Sequence, residues 1–209
     1  MHRRTFLAIV GAACLASPAL CLRPAQAHRD DAEPSPAFGR QIVHIPAPTF
    51  TLTDQDGQAF ALQSWRGRAI AVTFGYTMCP DVCPLLAANL ALIQQELSEA
   101  ERARTGLLFI TTDPERDTPA VLRAYGVKLG ADFATWKFLT GDVAALRPVW
   151  RGFGVSVKQL GPAKVDHTTL TTLVDRQGLR RVNYYGTRWD PPTLLRDLRA
   201  LAQGEVSRL

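Results

Sequence analysis

Two cysteines four residues apart, Cys79 and Cys83, stand in the run Thr73-Phe74-Gly75-Tyr76-Thr77-Met78-Cys79-Pro80-Asp81-Val82-Cys83-Pro84. Thiolates are soft ligands and good nucleophiles, so a close pair can hold a soft metal or cycle between dithiol and disulfide. The apolar run Ala69 to Phe74 enters this stretch and reads as a buried strand. Leu85, Leu86, Leu90, Ile93 and Leu97 leave it at helical spacing. The pattern predicts cysteines at a strand-to-helix handover. On a first helical turn residues i and i+4 share a face, so both sulfurs can point at one ligand. Unpaired N–H groups and the positive dipole end at such a position favour thiolate over thiol.

A third ligand must come from elsewhere. Of four histidines, His2 lies near the start, His28 and His44 lie in or near a proline-rich stretch, and His167 stands in Val165-Asp166-His167-Thr168. The strand-like run Thr169 to Val174 follows it directly. In sheets with helical crossovers, ligands gather at one edge near the strand-to-helix turns. His167 is therefore the candidate, against the commoner reading of a lone histidine as structural. Two thiolates and an imidazole form a soft set suited to copper in either oxidation state.

The chain opens Met1-His2-Arg3-Arg4, continues through an apolar segment from Thr5 to Leu22 and reaches Ala25-Gln26-Ala27. A basic start, an apolar middle and an Ala-x-Ala site spell an export signal over residues 1–27, cleaved after Ala27. Arg3-Arg4-Thr5-Phe6-Leu7 resembles the twin-arginine export motif. An uncleaved anchor is the weaker reading, because Ser17-Pro18 interrupts an alanine-rich segment. Removing the leader takes away Arg3, Arg4 and Arg23 and lowers the net charge from +5 to +2. Nothing in what remains argues for nucleic acid. Of the four cysteines only Cys79 and Cys83 stay. In an oxidising, extracytoplasmic or periplasmic compartment such a pair is a disulfide, a metal site, or each at different times.

Residues 28–48, with Pro34-Ser35-Pro36 and Pro46-Ala47-Pro48, read as a flexible tether. Alternating apolar residues about Asp56-Gly57 predict an N-terminal hairpin from Phe50 to Leu62. Further on, Leu107 to Thr111 reads as a strand, Thr118-Pro119 as the start of a helix to about Leu129, and Trp136 to Leu139 as a short strand. Asp142 caps a helix to about Phe153, Val155 to Val157 reads as an edge strand, and Leu179 to Tyr185 follows the Asp175–Gly178 turn. A last helix opens at Pro191 or Pro192 and runs to about Leu201. Strands alternating with helices predict one α/β domain over 49–203, helices on both sides of its sheet, and a C-terminal tail over 204–209.

Three motifs carry a resemblance. Gly75-Tyr76-Thr77-x-Cys79-Pro80-Asp81-Val82-Cys83-Pro84, Thr112-Asp113-Pro114-Glu115-Arg116-Asp117-Thr118-Pro119 and Val165-Asp166-His167-Thr168 together resemble the Sco/SenC family of copper-binding, thioredoxin-like proteins. The similarity runs in order from about Phe50 to Arg199. It implies a thioredoxin-like fold, a central mixed sheet flanked by helices. It also implies copper, Cu(I) or Cu(II), held by Cys79, Cys83 and His167. The implied role is assembly of the CuA centre of cytochrome c oxidase, with the CuA-bearing subunit as partner and a second periplasmic copper chaperone or thiol reductase beside it. Asp113 matches the family's acidic residue near the site, where it would fix the loop or tune the ligands; capping the following turn is its plainer role. Met78 stands where many relatives carry another residue and reads as a packing side chain rather than a ligand.

A thiol–disulfide oxidoreductase is the competing class, and a copper or redox sensor the third. Ordinary thioredoxin-like reductases space their cysteines Cys-x-x-Cys and place a cis-proline before the strand facing them. Here the spacing is longer, and Pro162 is five residues ahead of His167.

Overall fold

The computed structural model of the chain describes residues 39–161 and 164–209. The expected leader, residues 1–27, and the first part of the tether, 28–38, lie outside them. Two strands form the centre: β4, Ala69–Gly75, and β5, Thr105–Thr111, paired in parallel and buried at every position. β-Branched and other apolar residues on consecutive positions suit such strands because elements cover both faces.

Before β4 come β1 (Gly39–Pro46), the hairpin β2 (Thr51–Thr53) and β3 (Ala59–Ala61), and a 3-10 turn at Leu62–Trp65. After it come α1 (Cys83–Glu96), the single turn α2 (Glu99–Arg102), β5, α3 (Pro119–Lys128), β6 (Trp136–Leu139) and α4 (Val143–Phe153). The chain ends with β7 (Val157–Gly161), β8 (Lys164–His167), β9 (Leu170–Val174), β10 (Leu179–Tyr185) and α5 (Pro191–Gln203). The main sheet has the order β1-β10-β9-β4-β5-β6, parallel through β4-β5-β6 and antiparallel from β4 outward to β1. It is the thioredoxin-like, mixed-sheet α/β fold that the motifs implied.

Alternation along β4 splits the core in two. Ala69 and Ala71 face Leu86, Leu90 and Ile93 of α1, Leu122 of α3 and Leu194 and Leu198 of α5. Ile70, Val72 and Phe74 face Leu146, Val149 and Phe153 of α4, with Phe50, Phe60 and Trp65 of the N-terminal segment. Burying each such large apolar side chain contributes about 1.5–3 kcal/mol. Gly106 is a required opening in β5: a Cβ there would lie 2.4 Å from the Trp65 ring.

Caps follow the sequence closely. Thr118 accepts from Val121 N at α3, Asp142 from Ala145 N at α4, and Asp190 from Thr193 N at α5. Asp54 closes the β2–β3 turn by accepting from Asp56 N and Gln58 N, both at 2.9 Å.

Three expectations about the fold need correction. Residues 39–46, read as part of the tether, form edge strand β1, paired with β10 from Gly39 opposite Tyr185 to Pro46 opposite Leu179. Ile42 and Ile45 remain exposed, so apolar patterning is weak; the backbone ladder and a distant ion pair hold the strand. Arg40 Nε lies 2.6 Å from Asp197 Oδ2 of α5, and Tyr184 donates to the same buried carboxylate. The second correction concerns 155–167. Instead of a lone edge strand at Val155–Val157, β7 and β8 pair as a separate two-stranded ribbon with Val157 opposite His167, while the core strand expected from Thr169 to Val174 is present as β9. The expected tail is also packed: Val206–Arg208 forms a 3-10 turn and Leu209 lies against the core.

Candidate metal centre

Strand β4 delivers the chain at Gly75, and α1 takes it up at Cys83; residues 76–82 form the loop between. Cys83 is the first helical residue and only 1% exposed, while Cys79 sits in the loop, half-buried. The two therefore do not share a helical face as their spacing predicted. Pro80 has no N–H to extend a helix backward, and Cys79 stays in the loop ahead of α1, where its backbone N donates to Tyr76 O at 3.3 Å. Burial pushes its thiol up, but the Cys83 side chain and the nearby backbone N–H groups of residues 81–83 outweigh that and hold it below the usual thiol value. Cys83 goes the other way: burial and the neighbouring Cys79 raise it well above that value. Both are free thiols. Limiting iodoacetamide should accordingly label Cys79 well ahead of Cys83 in reduced protein, read by peptide mass mapping; equal labelling would contradict this order.

Gly75 makes room for the buried cysteine. A Cβ at that position would lie 3.1 Å from Cys83 Sγ and 3.2 Å from the Phe109 ring.

The β7–β8 ribbon brings the histidine. Its base is fixed where Thr168 N donates to Ser156 O at 3.0 Å and Ser156 N to Thr168 Oγ1 at 3.1 Å. His167 Nε2 then lies 3.5 Å from Cys83 Sγ, and Nδ1 lies 3.1 Å from Thr168 O. A carbonyl only accepts, so Nδ1 carries the proton and the Nε2 lone pair faces the sulfur. Burial holds the imidazole below its usual pKa, against the Thr168 carbonyl and Asp166. Tyr76 meets the His167 ring edge-on at 6.1 Å, and its hydroxyl accepts from Val165 N. Val82, Val157 and Val165 close an apolar shell around both cysteines.

Asp113 is 2% exposed, and its carboxylate takes Arg116 Nη1 at 2.9 and 3.0 Å. No hydrogen bond joins it to Cys79, Cys83 or His167 among the described residues. The acid that holds the cysteine loop is Asp117, fully buried, which accepts from Thr77 Oγ1 and Thr111 Oγ1, each at 2.6 Å, and from Thr77 N. Burial raises the Asp117 pKa against these donors. Linear spacing does not separate Asp117 from Asp113; which of them turns toward Thr77 is decided by the fold. Met78, expected to pack, is 61% exposed.

Among the described residues, no group of three His, Cys, Asp or Glu side chains is already arranged to hold a metal ion. Two of the three candidates nonetheless stand at a ligand spacing. An ion about 2.3 Å from sulfur and about 2.0–2.1 Å from nitrogen, at a tetrahedral angle, puts those atoms roughly 3.5 Å apart. Cys83 and His167 meet that distance. Cys79, half-buried and carried on a loop, is the member left to adjust. The donor set is soft, reduced and dry on one side, which suits copper.

A family model described as SCO1/SenC matches residues 43–203. The SCO2-like protein RP587 of Rickettsia prowazekii is 31% identical over 142 residues, covering 65% of this chain and 67% of that protein. Across three curated relatives the match spans between 59% and 67% of the relative's own length. Among solved structures, Bradyrhizobium japonicum ScoI with copper bound superposes with a TM-score of 0.65 at 32% identity, covering 75% of this chain and 99% of the other. BsSco, described as a member of the Sco family of cytochrome c oxidase assembly proteins and as carrying a disulfide switch, gives 0.66 at 25% identity, covering 78% and 96%.

Proposed function

Because the chain belongs to the SCO1/SenC family, we propose that it binds copper through Cys79, Cys83 and His167 and serves the assembly of the CuA centre of cytochrome c oxidase. The observation that carries the reading is the His167 Nε2 lone pair, aimed at Cys83 Sγ across 3.5 Å in an apolar shell. The copper bound by the related ScoI and the oxidase-assembly role named for BsSco support it.

Each residue has a distinct task. Cys79, the more accessible and more acidic thiol, meets incoming copper or a partner's sulfur first. Cys83 gives up its proton to solvent as its sulfur takes the metal, and His167 already offers a neutral nitrogen. Bound copper supplies soft, exchangeable coordination that can pass to an acceptor's cysteines. The CuA-bearing oxidase subunit is the acceptor in this reading, and a second periplasmic copper chaperone or thiol reductase keeps the pair loaded or reduced. The work takes place on the extracytoplasmic side, reached through the leader over residues 1–27. Among the described residues no helix is long and apolar enough to cross a membrane.

The test starts from redox state. Reduced protein should take up one copper tightly, and its Cu(II) form should show an intense thiolate-to-copper charge-transfer band. Protein first oxidised to the Cys79–Cys83 disulfide should take up almost none. Equal uptake by both forms would remove the three-ligand site.

A thiol–disulfide oxidoreductase is the second reading, favoured by the unequal thiols: an accessible, acidified Cys79 beside a buried Cys83 is an attacking and resolving pair. Mixing apo and copper-loaded protein with metal-free CuA domain, and following copper and thiols separately, distinguishes the two.

A further inference from the structure

The ribbon that carries His167 stands apart from the main sheet, so whatever holds it over the cysteines decides where the imidazole points. Ser156 and Thr168 close its base, but those hydrogen bonds lie within the ribbon's own ends. Among the described residues, two hydrogen bonds join 157–161 and 164–167 to another part of the chain. One is the Cys83–His167 contact itself. The other is donated by Val165 N to the Tyr76 hydroxyl at 3.4 Å.

Tyr76 is the first residue after β4 and only 3% exposed. Its backbone oxygen accepts from Cys79 N at 3.3 Å, which makes it part of the cysteine loop. Its side chain crosses to β8. Val165 and His167 are two residues apart on that strand and so face the same way. The hydroxyl takes the backbone N–H of the first. The ring meets the imidazole of the second edge-on, centroids 6.1 Å apart and planes at 78°, an orientation that aromatic pairs favour. Val165 packs with Tyr76 and Cys83 in the apolar shell. One side chain thus touches both the loop that supplies two candidate ligands and the strand that supplies the third.

We propose that Tyr76 is a positioning residue: its hydroxyl pins β8 at Val165 and its ring flanks the imidazole, so that His167 Nε2 is held facing Cys83 Sγ before any metal arrives. The purpose of that arrangement rests on the copper reading above. Groups around a metal's ligands orient them, and a ligand already in place loses less freedom when the metal binds. Phenylalanine at position 76 would supply the ring but not the acceptor, leaving the N–H of the buried Val165 without its partner.

Tyr76→Phe isolates the hydroxyl. In apo protein, hydrogen exchange at the Val165 amide should quicken while amides in β4, β5 and β9 keep their protection. Carbethoxylation of His167 by diethyl pyrocarbonate, read by peptide mass mapping, should quicken about 3-fold, the modest loss expected of one long hydrogen bond. Copper affinity should fall by a similar factor, and the Cu(II) charge-transfer band should shift or weaken as the imidazole loses its fixed angle. Faster exchange in all strands alike would show a general structural role and overturn the proposal. Unchanged exchange at Val165 or unchanged modification of His167 would overturn it too, and neither readout needs copper. A parent that shows neither tight binding nor the band counts against the copper reading alone, and the two copper-free readouts still decide the role of Tyr76. Where the parent does bind copper, parent-like affinity and band in the variant would overturn the positioning role.

Discussion

His167→Ala should cost the protein its tight copper binding and its charge-transfer band while leaving a dithiol that still reduces a model disulfide. The imidazole is the ligand with no part in thiol exchange, which needs two sulfurs and access. Losing even an outer partner of a metal ligand typically costs about 10–100-fold in affinity, so loss of the ligand itself should cost on the order of 100-fold or more. The ribbon should persist, because its base is held by Ser156 and Thr168 rather than by the imidazole. Circular dichroism and thermal unfolding check that. Cys83→Ser should abolish both activities, since it removes a metal ligand and the buried thiol of the pair together. Oxidase assembly in cells carrying each variant then decides between the readings. Equal failure of the two assigns copper handling as the task. Normal CuA assembly by His167→Ala under copper limitation would put the thiol reductase first.

Asp117→Ala should be among the most destabilising single changes around the site. It leaves Thr77 N, Thr77 Oγ1 and Thr111 Oγ1 without their acceptor at a position with no solvent access. Each orphaned group costs about 1–3 kcal/mol, so a loss of about 3–5 kcal/mol in urea unfolding is expected. Asp117→Asn keeps one acceptor and removes a charge whose burial is itself unfavourable, and should lose about half as much. The loop also loosens: Thr77 is two residues from Cys79, so alkylation of Cys79 should quicken in the folded Asn variant. Asp113→Asn disturbs a pair whose arginine is partly solvated and should cost about 1 kcal/mol or less. If Asp113→Asn proves the more damaging to stability and to Cys79 protection, the assignment of the loop-holding acid is reversed.

These variants mark how far linear order reaches. The strand into the cysteine loop, the helix out of it, the Thr118, Asp142 and Asp190 caps and the Asp56-Gly57 hairpin are local matters. Each depends on residues within a turn or two, where steric preference, apolar period and capping act directly. The three motifs also single out the cysteines and His167 as candidate ligands, and the fold brings Cys83 and His167 within 3.5 Å of each other. Tertiary structure decided what each residue faces. Cys79 lies off the helix, because α1 begins only at Cys83 and the proline-containing loop holds Cys79 ahead of it. His167 rides a detached ribbon whose pairing begins ten residues earlier in the chain. β1 joins the sheet through a ladder to β10 and an Arg40–Asp197 contact spanning 157 positions. Asp117 rather than Asp113 grips Thr77, forty residues away. For His167, β1 and Asp117 the deciding interactions are strand pairings, hydrogen bonds and an ion pair between segments distant in the chain. Such contacts leave no periodic trace in sequence; they become favourable only once burial of the two apolar layers has already brought the segments together.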